Sequence, residues 1–285
     1  MAMQDLNIQD YQKKLFPYAY NILGTYDDAK DAVQDVMAKY YSTGKKDIDN
    51  ESSYLIKSVI NQAINIKKRN SKSIDSGISL PEPVSTESAD TNLKRKEIIS
   101  YSLLVLLESV NTKERAVFIL KEAFDYSHEE IGDTLQISTE GSRKLLSRAK
   151  IKLGALKRVE TNYSFAGTLQ LENYIDAVKN GNVKKLEEML VKDISVMVDG
   201  GKLRIVSAFE SGVEQVIQLM TYVYAAYQTK TEIKIVSVNH QPALLFYQDG
   251  LLVNCQVFDF AKDTTHITGI YSIVDPEKLK NFHKF

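Results

Sequence analysis

The sequence predicts a multidomain chain: two all-α helical modules, the second a helix-turn-helix, followed by an α+β domain built on a curved antiparallel sheet. Three observations predict it. Apolar residues recur at helical spacing over residues 11–66 and again from Lys94 to about Arg158. A segment dense in Ser, Asp, Pro and Gly, residues 70–93, parts those two blocks. After Thr161, two short amphipathic helices give way to alternating runs rich in β-branched and aromatic residues.

The first block reads as three helices. Tyr11, Leu15, Tyr18, Ala19 and Ile22 mark the first, Ala29, Ala32, Val33, Val36, Met37 and Tyr40 the second, and Tyr54, Leu55, Val59, Ala63 and Ile66 the third. "GTYDD" and "STGKKDIDNESS" separate them, which gives a compact bundle over 1–72. The linker, 73–93, is stiffened at its centre by Pro81 and Pro83. The second helical block, 94–158, breaks at "SVNTKE", "FDYSHEE" and "LQISTE"; Ser127 with Glu130 fits a capping box and Ser138 an N-cap. In the last domain, 165–285, "LENYIDAVKNG" and "NVKKLEEMLV" precede "ISVMVDGGKLRIVSAF" and a longer helix with Val213, Val216, Ile217, Met220, Val223, Tyr224 and Tyr227 on one face. Four alternating runs follow, "TEIKIVSV", "ALLFYQ", "LLVNCQVF" and "HITGIYSIV", joined by turn sequences.

A chain of 285 residues is long enough for two or three cores. Its acidic, unpatterned N-terminus lacks a secretory layout and no apolar run spans a bilayer, so the expectation is a cytoplasmic protein without a membrane partner, monomeric when free. The lone Cys255 reads as a small core residue, and His128, His240, His266 and His283 lack metal-ligand spacing, so no metal or other cofactor is expected. The formal net charge is −1, but it is unevenly spread: 11 bases to 9 acids over 1–72, 13 to 9 over 94–158, and 12 to 15 over 159–285. An anionic partner for the helical modules follows.

"STEGSRKLLSRAKIKL", residues 138–153, concentrates that charge: five cations stand against Glu140. With the short helix before it and a tight turn at 136–138, it has helix-turn-helix layout. Ile131, Leu135, Ile137, Leu145, Leu146 and Ala149 form the small core, leaving Ser142, Arg143 and Ser147 near the front of the second helix. Near-uniform sign favours DNA over a solvated face carrying salt bridges, with N-terminal residues at base edges and later cations on phosphates.

Taken together, "YAYNILGTYDDAKDAVQDVMAKYY" with "SYLIKSVINQAINIKKRN" resembles region 2 of bacterial extracytoplasmic-function sigma factors, and "SVNTKERAVFILKEAFDYSHEEIGDTLQISTEGSRKLLSRAKIKL" resembles their region 4. "LPEP" at 80–83, "DGGK" at 199–202 and "DPEKL" at 275–279 further resemble the subgroup with a fused SnoaL-like C-terminal domain. Ser79 stands where that subgroup usually has Trp, and the glycine run is one residue short.

The resemblance implies core RNA polymerase and promoter DNA as partners and no bond chemistry by the protein itself. Asp31, Gln34 and Asp35, at i, i+3, i+4, match the polymerase-binding motif. Asn61, Asn65, Lys67, Lys68 and Arg69, with the loop 42–50, would take the −10 element, whose bases must leave the stack. Ser142, Arg143, Lys144, Ser147 and Arg148 would take the −35 element, Arg143 being the best base reader and Arg148 and Lys150 phosphate clamps.

Leu80, Pro81, Glu82, Pro83, Asp199, Gly200, Gly201, Lys202, Asp275, Pro276, Glu277, Lys278 and Leu279 would form an interdomain regulatory contact, responsive to a small ligand or protein at the C-terminal domain. Some SnoaL-like relatives are enzymes with a pocket Asp or His; Asp176, Asp199, His240 and His266 stand as candidates here, but none forms an acid-base pair by spacing. The competing reading is a ligand-sensing helix-turn-helix regulator acting without polymerase, which would have no use for the first module.

Overall fold

The computed structural model describes residues 2–42, 50–70, 78–86, 97–155, 167–201, 208–262, 265–280 and 282. The chain forms two compact units. One comprises residues 1–75, 93–99 and 103–158; the other comprises 76–92, 100–102 and 159–285. The segment between the two helical blocks therefore belongs to the C-terminal unit.

In the first unit α1 (Ala2–Leu23), α2 (Tyr26–Ser42) and α3 (Glu51–Asn70) pack as a bundle. Leu15, Ala19 and Ile22 of α1, Ala29 and Ala32 of α2, and Leu55, Val59 and Ala63 of α3 are fully buried, the stripes set by the 3.6-residue period. α4 (Tyr101–Leu106), which enters this unit at Leu103, runs into a 3-10 turn at Leu107–Ser109 and is followed by α5 (Thr112–Glu122), α6 (His128–Leu135) and α7 (Thr139–Ala155). Asn111 with Glu114 and Ser127 with Glu130 close capping boxes on α5 and α6, each satisfying two otherwise orphaned backbone N–H groups. The α6–α7 turn is tight. Gln136 adopts a left-handed conformation, and a Cβ on Gly132 would lie 2.8 Å from the Ile137 carbonyl, so glycine permits the close approach.

The second unit opens with α8 (Gly167–Lys179) and α9 (Val183–Met189), continues through β1 (Leu190–Asp199), β2 (Ala208–Ser211) and α10 (Val213–Val223), and then takes a π-helical turn at Tyr224–Gln228. β3 (Glu232–Val238), β4 (Gln241–Gln248), β5 (Leu251–Phe260) and β6 (Ile267–Ile273) form a meander, and α11 (Pro276–Leu279) ends the described fold. Asn239 and His240, and Asp249 and Gly250, all with positive φ, close the first two hairpins.

The sheet order is β2-β1-β6-β5-β4-β3. Four junctions are antiparallel and β1–β6 is parallel, so the sheet is mixed where the sequence suggested an antiparallel one. The crossover through α10 resets the chain direction, and the four-strand meander brings β6 back beside β1 pointing the same way. Helices pack on one face, burying Leu171, Ile194, Val196, Val216, Phe258 and Ile270 in a common core. Truncating Phe258, fully buried and edge-on to Tyr174 with centroids 5.0 Å apart, would cost about 3–5 kcal/mol.

Candidate nucleic-acid interface

The α2 stripe that buries Ala32, Val33, Val36 and Met37 turns Asp31, Gln34 and Asp35 outward together. Asp35 accepts a hydrogen bond from Gln62 Nε2 at 3.2 Å, which steadies this acidic-polar face.

The residues expected to take the −10 element fall into two groups. Asn65, Lys68 and Arg69 of α3 are exposed. Asn61 and Lys67 are engaged inside the unit: Asn61 Nδ2 donates to the Thr134 carbonyl of α6 at 3.1 Å, and Lys67 Nζ donates to the Leu23 carbonyl at 2.9 Å and to Glu108 Oε2 at 2.7 Å. The loop residues 43–49 lie outside the described residues.

Glu108 also receives Arg115, whose guanidinium is fully buried and donates to Glu108 Oε1 at 2.5 Å and to the Asn21 carbonyl at 3.0 Å. One carboxylate thus joins a cation from each helical block. Burial alone would raise the Glu108 carboxyl, but Arg115 and Lys67 hold it below the usual range. Burial, and then the Arg115 charge, lower the Lys67 ammonium to about 8 against the opposing pull of Glu108.

On α7, Ser142, Leu146, Ala149 and Leu153 form the buried stripe, and Arg143, Lys144, Ser147, Arg148 and Lys150 point outward. Ser142 departs from expectation. It is fully buried with its Oγ 2.9 Å from His128 Nδ1, so it fixes α7 against α6 and presents nothing to a base edge. Arg143 and Arg148 make no ion pair among the described residues, while Lys144, Lys150 and Lys152 pair with Glu140, Glu122 and Glu114. His128, Arg143, Ser147 and Lys150 line an open groove along the helix. Burial, followed by the charges of Arg143, Lys121 and Lys150, lowers the His128 imidazole pKa, a positive field suited to phosphate.

In the second unit the parallel β1–β6 pair brings "DGGK" and "DPEKL" together, because both follow the C-terminal ends of neighbouring strands. The fully buried Asp199 accepts hydrogen bonds on Oδ2 from Leu80 N at 2.7 Å and Lys278 Nζ at 2.6 Å, and on Oδ1 from Gly201 N at 2.8 Å. Lys278 uses all three of its donors, the others reaching the Leu80 carbonyl at 2.6 Å and Ser79 Oγ at 3.1 Å. Gly201 sits at φ +57, where a Cβ would lie 2.2 Å from the Asp275 carboxyl. Asp275 in turn caps α11 through Glu277 N, at 3.0 Å. Pro81 accepts from the Tyr101 hydroxyl at 2.6 Å, and Pro83 and Glu82 are buried. Gly200 lies within the same turn; Lys202 is outside the described residues.

Beyond the motifs, Val84 and Asn239 exchange two hydrogen bonds at 3.0 Å, Thr86 N donates to Ser237 O at 3.0 Å, and Gln241 Oε1 accepts from Ser102 N at 2.6 Å. Sequence reading missed Glu108, Arg115, Asn239 and Gln241. Only Arg115, a cation on the apolar stripe Ala116, Ile119, Leu120, carried a signal that could have exposed it.

Residues 8–73 match the Sigma-70 region 2 family and residues 100–153 the family described as Sigma-70, region 4. Over 279 residues the chain is 22% identical to a Mycobacterium tuberculosis protein described as a probable ECF RNA polymerase sigma factor, SigI, covering 93% of this chain and 91% of that one. The chain carries sigma-factor regions 2 and 4 and is similar along most of its length to extracytoplasmic-function sigma factors. The sigma factor is also 21% identical to SigG of the same organism, covering 96% and 82% of the two chains. Its fold matches the crystal structure of M. tuberculosis SigJ with a TM-score of 0.74 at 19% identity, covering 97% and 98%. The chain therefore carries a folded domain beyond regions 2 and 4, with helices over one face of a mixed six-stranded sheet. Proteins of this family bind core RNA polymerase and promoter DNA and act in transcription initiation, not as enzymes. No described helix is long and apolar enough to cross a membrane.

Proposed function

We propose that the sigma factor is controlled in cis by its C-terminal domain through the connector between regions 2 and 4. Asp31, Gln34 and Asp35 would contact the polymerase. Asn65, Lys68 and Arg69 would meet the −10 element, joined by Asn61 and Lys67 once released from Thr134 and Glu108. Arg143, Ser147 and Arg148 would meet the −35 element, with Lys144 beside them. The observation that carries the control is the Leu80–Asp199–Lys278 network, which ties the connector to the two C-terminal motifs. A connector held in this way fixes how far region 4 can reach from region 2, and a tethered contact needs little intrinsic affinity.

The test is run-off transcription with core RNA polymerase from the same source, comparing the wild type with Lys278→Ala and Asp199→Asn in the full chain. A change in transcript yield in the same direction for both variants, with unchanged start site, supports the reading. Unchanged yield from two folded variants that have lost the connector contact sinks it.

A further inference from the structure

Tyr41, near the end of α2, and Tyr54, in the first turn of α3, are 46% and 45% exposed. Among the described residues of α1–α3 no other large apolar side chain is comparably exposed. Tyr40, only 5% exposed, joins the two: its ring is edge-on to Tyr41 with centroids 5.5 Å apart and tilted against Tyr54 at 6.1 Å. Tyr40 is itself pinned. Its hydroxyl and that of Tyr11 of α1 both hydrogen-bond to the Glu51 carboxylate, and the bond to Glu51 pushes the Tyr40 hydroxyl up to about 12.

Tyr54 also opens a stripe along α3. Ser58, Asn61, Asn65 and Lys68 follow it at i+4, i+7, i+11 and i+14, so all five share one face of the helix. From Tyr54 to Lys68 the face runs about 21 Å, at 1.5 Å per residue. That is the length of about six nucleotides of a strand at 3.4 Å each. Cations attend its start: Lys14 Nζ reaches Ser52 Oγ at 2.7 Å, and Lys57 stands three residues beyond Tyr54. Glu51, the acid of that first turn, is taken up by the two tyrosine hydroxyls.

We propose that Tyr41 and Tyr54 form a stacking platform for an unstacked base of the opened promoter strand. The inference rests on the reading that α3 faces the −10 element, and it adds a binding surface which that reading leaves out. A base that leaves the duplex loses its stacking partners, and a supported aromatic ring restores one of them whatever the base, since every base has a π-face. A paired base inside a duplex offers no free face, so the platform favours the opened promoter over the closed one. Lys14 and Lys57 lie where the backbone phosphates of such a strand would pass.

The test uses the holoenzyme formed with core RNA polymerase and a promoter selected from a library, prepared fully paired and with the −10 region opened by mismatches. On the opened form Tyr54→Ala and Tyr41→Ala should bind at least about fivefold more weakly, the lower end of what one base–aromatic stack supplies, and Tyr54→Phe should stay within about twofold of the wild type. Tyr54→Leu keeps apolar bulk against Tyr40 without a π-face; it should melt with the wild type yet lose affinity like the alanine variant. With 2-aminopurine placed in turn at each opened base, one position should be quenched by the wild type and by Tyr54→Phe and bright with Tyr54→Ala.

Wild-type affinity of both alanine variants for the opened promoter overturns the proposal, as does the absence of a Tyr54-dependent quench at every position. Equal losses on the paired and opened forms assign the rings to duplex contact and overturn it too. So does weaker binding of core polymerase, which would place Tyr41 with Gln34, two turns before it on α2. The underlying reading fails by a separate result, in which Asn65→Ala and Lys68→Ala lose no affinity for either form.

Discussion

The Lys278 ammonium lies 2.6 Å from Asp199 Oδ2, and the two residues, 79 apart in sequence, meet beneath the backbone of Leu80. The aspartate is fully buried and the lysine nearly so, which makes the contact strongly asymmetric towards loss of one partner.

Replacing Lys278 by Met should therefore destabilise the protein by about 3–5 kcal/mol, since it strands a buried carboxylate. Adding Asp199→Asn to that variant should cost much less than its effect alone, giving a coupling energy of at least about 1 kcal/mol. Denaturant titration of the four proteins in the cycle checks both statements.

Gly201→Ala should cost more than Gly250→Ala. Both residues have positive φ, which by itself disfavours a side chain by about 1–2 kcal/mol. At Gly201 the new methyl also meets the Asp275 carboxyl, whereas at Gly250 nothing lies within 4 Å. Thermal unfolding should rank the wild type first, Gly250→Ala second and Gly201→Ala last.

The Lys67–Glu108–Arg115 cluster has opposite sensitivities at its two signs. Glu108→Gln should cost about 3 kcal/mol, because it leaves a buried guanidinium and a half-buried ammonium facing each other. Lys67→Met should stay within about 1 kcal/mol of the wild type at pH 7, because desolvation outweighs the pairing there.

The pH dependence follows with a definite sign. Lys67 is lowered to about 8 from an ordinary 10.5, so between those values the unfolded chain binds a proton that the folded one does not. This group's contribution makes the fold more stable as the pH rises through that window, and Lys67→Met should remove the rise. Denaturant midpoints at pH 7, 8, 9 and 10 for the two proteins measure it.

Arg143→Ala should cost about 1–3 kcal/mol at one position of the −35 element if the guanidinium reads a base, and should lose affinity uniformly if it holds phosphate. Arg148→Ala should behave in the second way and reduce the salt dependence of binding. Ser142→Ala should change promoter preference little but lower the stability of the helix-turn-helix, since its hydroxyl faces His128. Competition binding of the polymerase holoenzyme to a promoter library separates these cases.

The helical modules were legible because their periodicity is strong and their caps are spelled out in Ser127, Glu130 and Ser138. Ser142 was misplaced because a core drawn from apolar residues alone, Leu145, Leu146 and Ala149, leaves a serine outside; the stripe Ser142, Leu146, Ala149, Leu153 places it inside. The alternating runs were equally plain as strands, but alternation reports which face is buried and not which neighbour a strand takes. The parallel pairing of β1 with β6 was hidden for that reason, and with it the geometry that brings Asp199 to Lys278. Asn61 and Lys67 looked like surface residues because their partners, Thr134 and Glu108, come from a segment 41 to 73 residues away.

The connector does more at Ser85 than link two helical blocks. Ser85 bridges Val238 in antiparallel fashion, and with Val84 and Thr86 it supplies hydrogen bonds to the outer side of β3, the last strand of the sheet. Any event that frees the connector would uncover the C-terminal end of that edge strand and leave its backbone groups able to pair with a strand from a second copy. Release of the connector, whichever sign its control has, would then carry a concentration-dependent tendency to self-association.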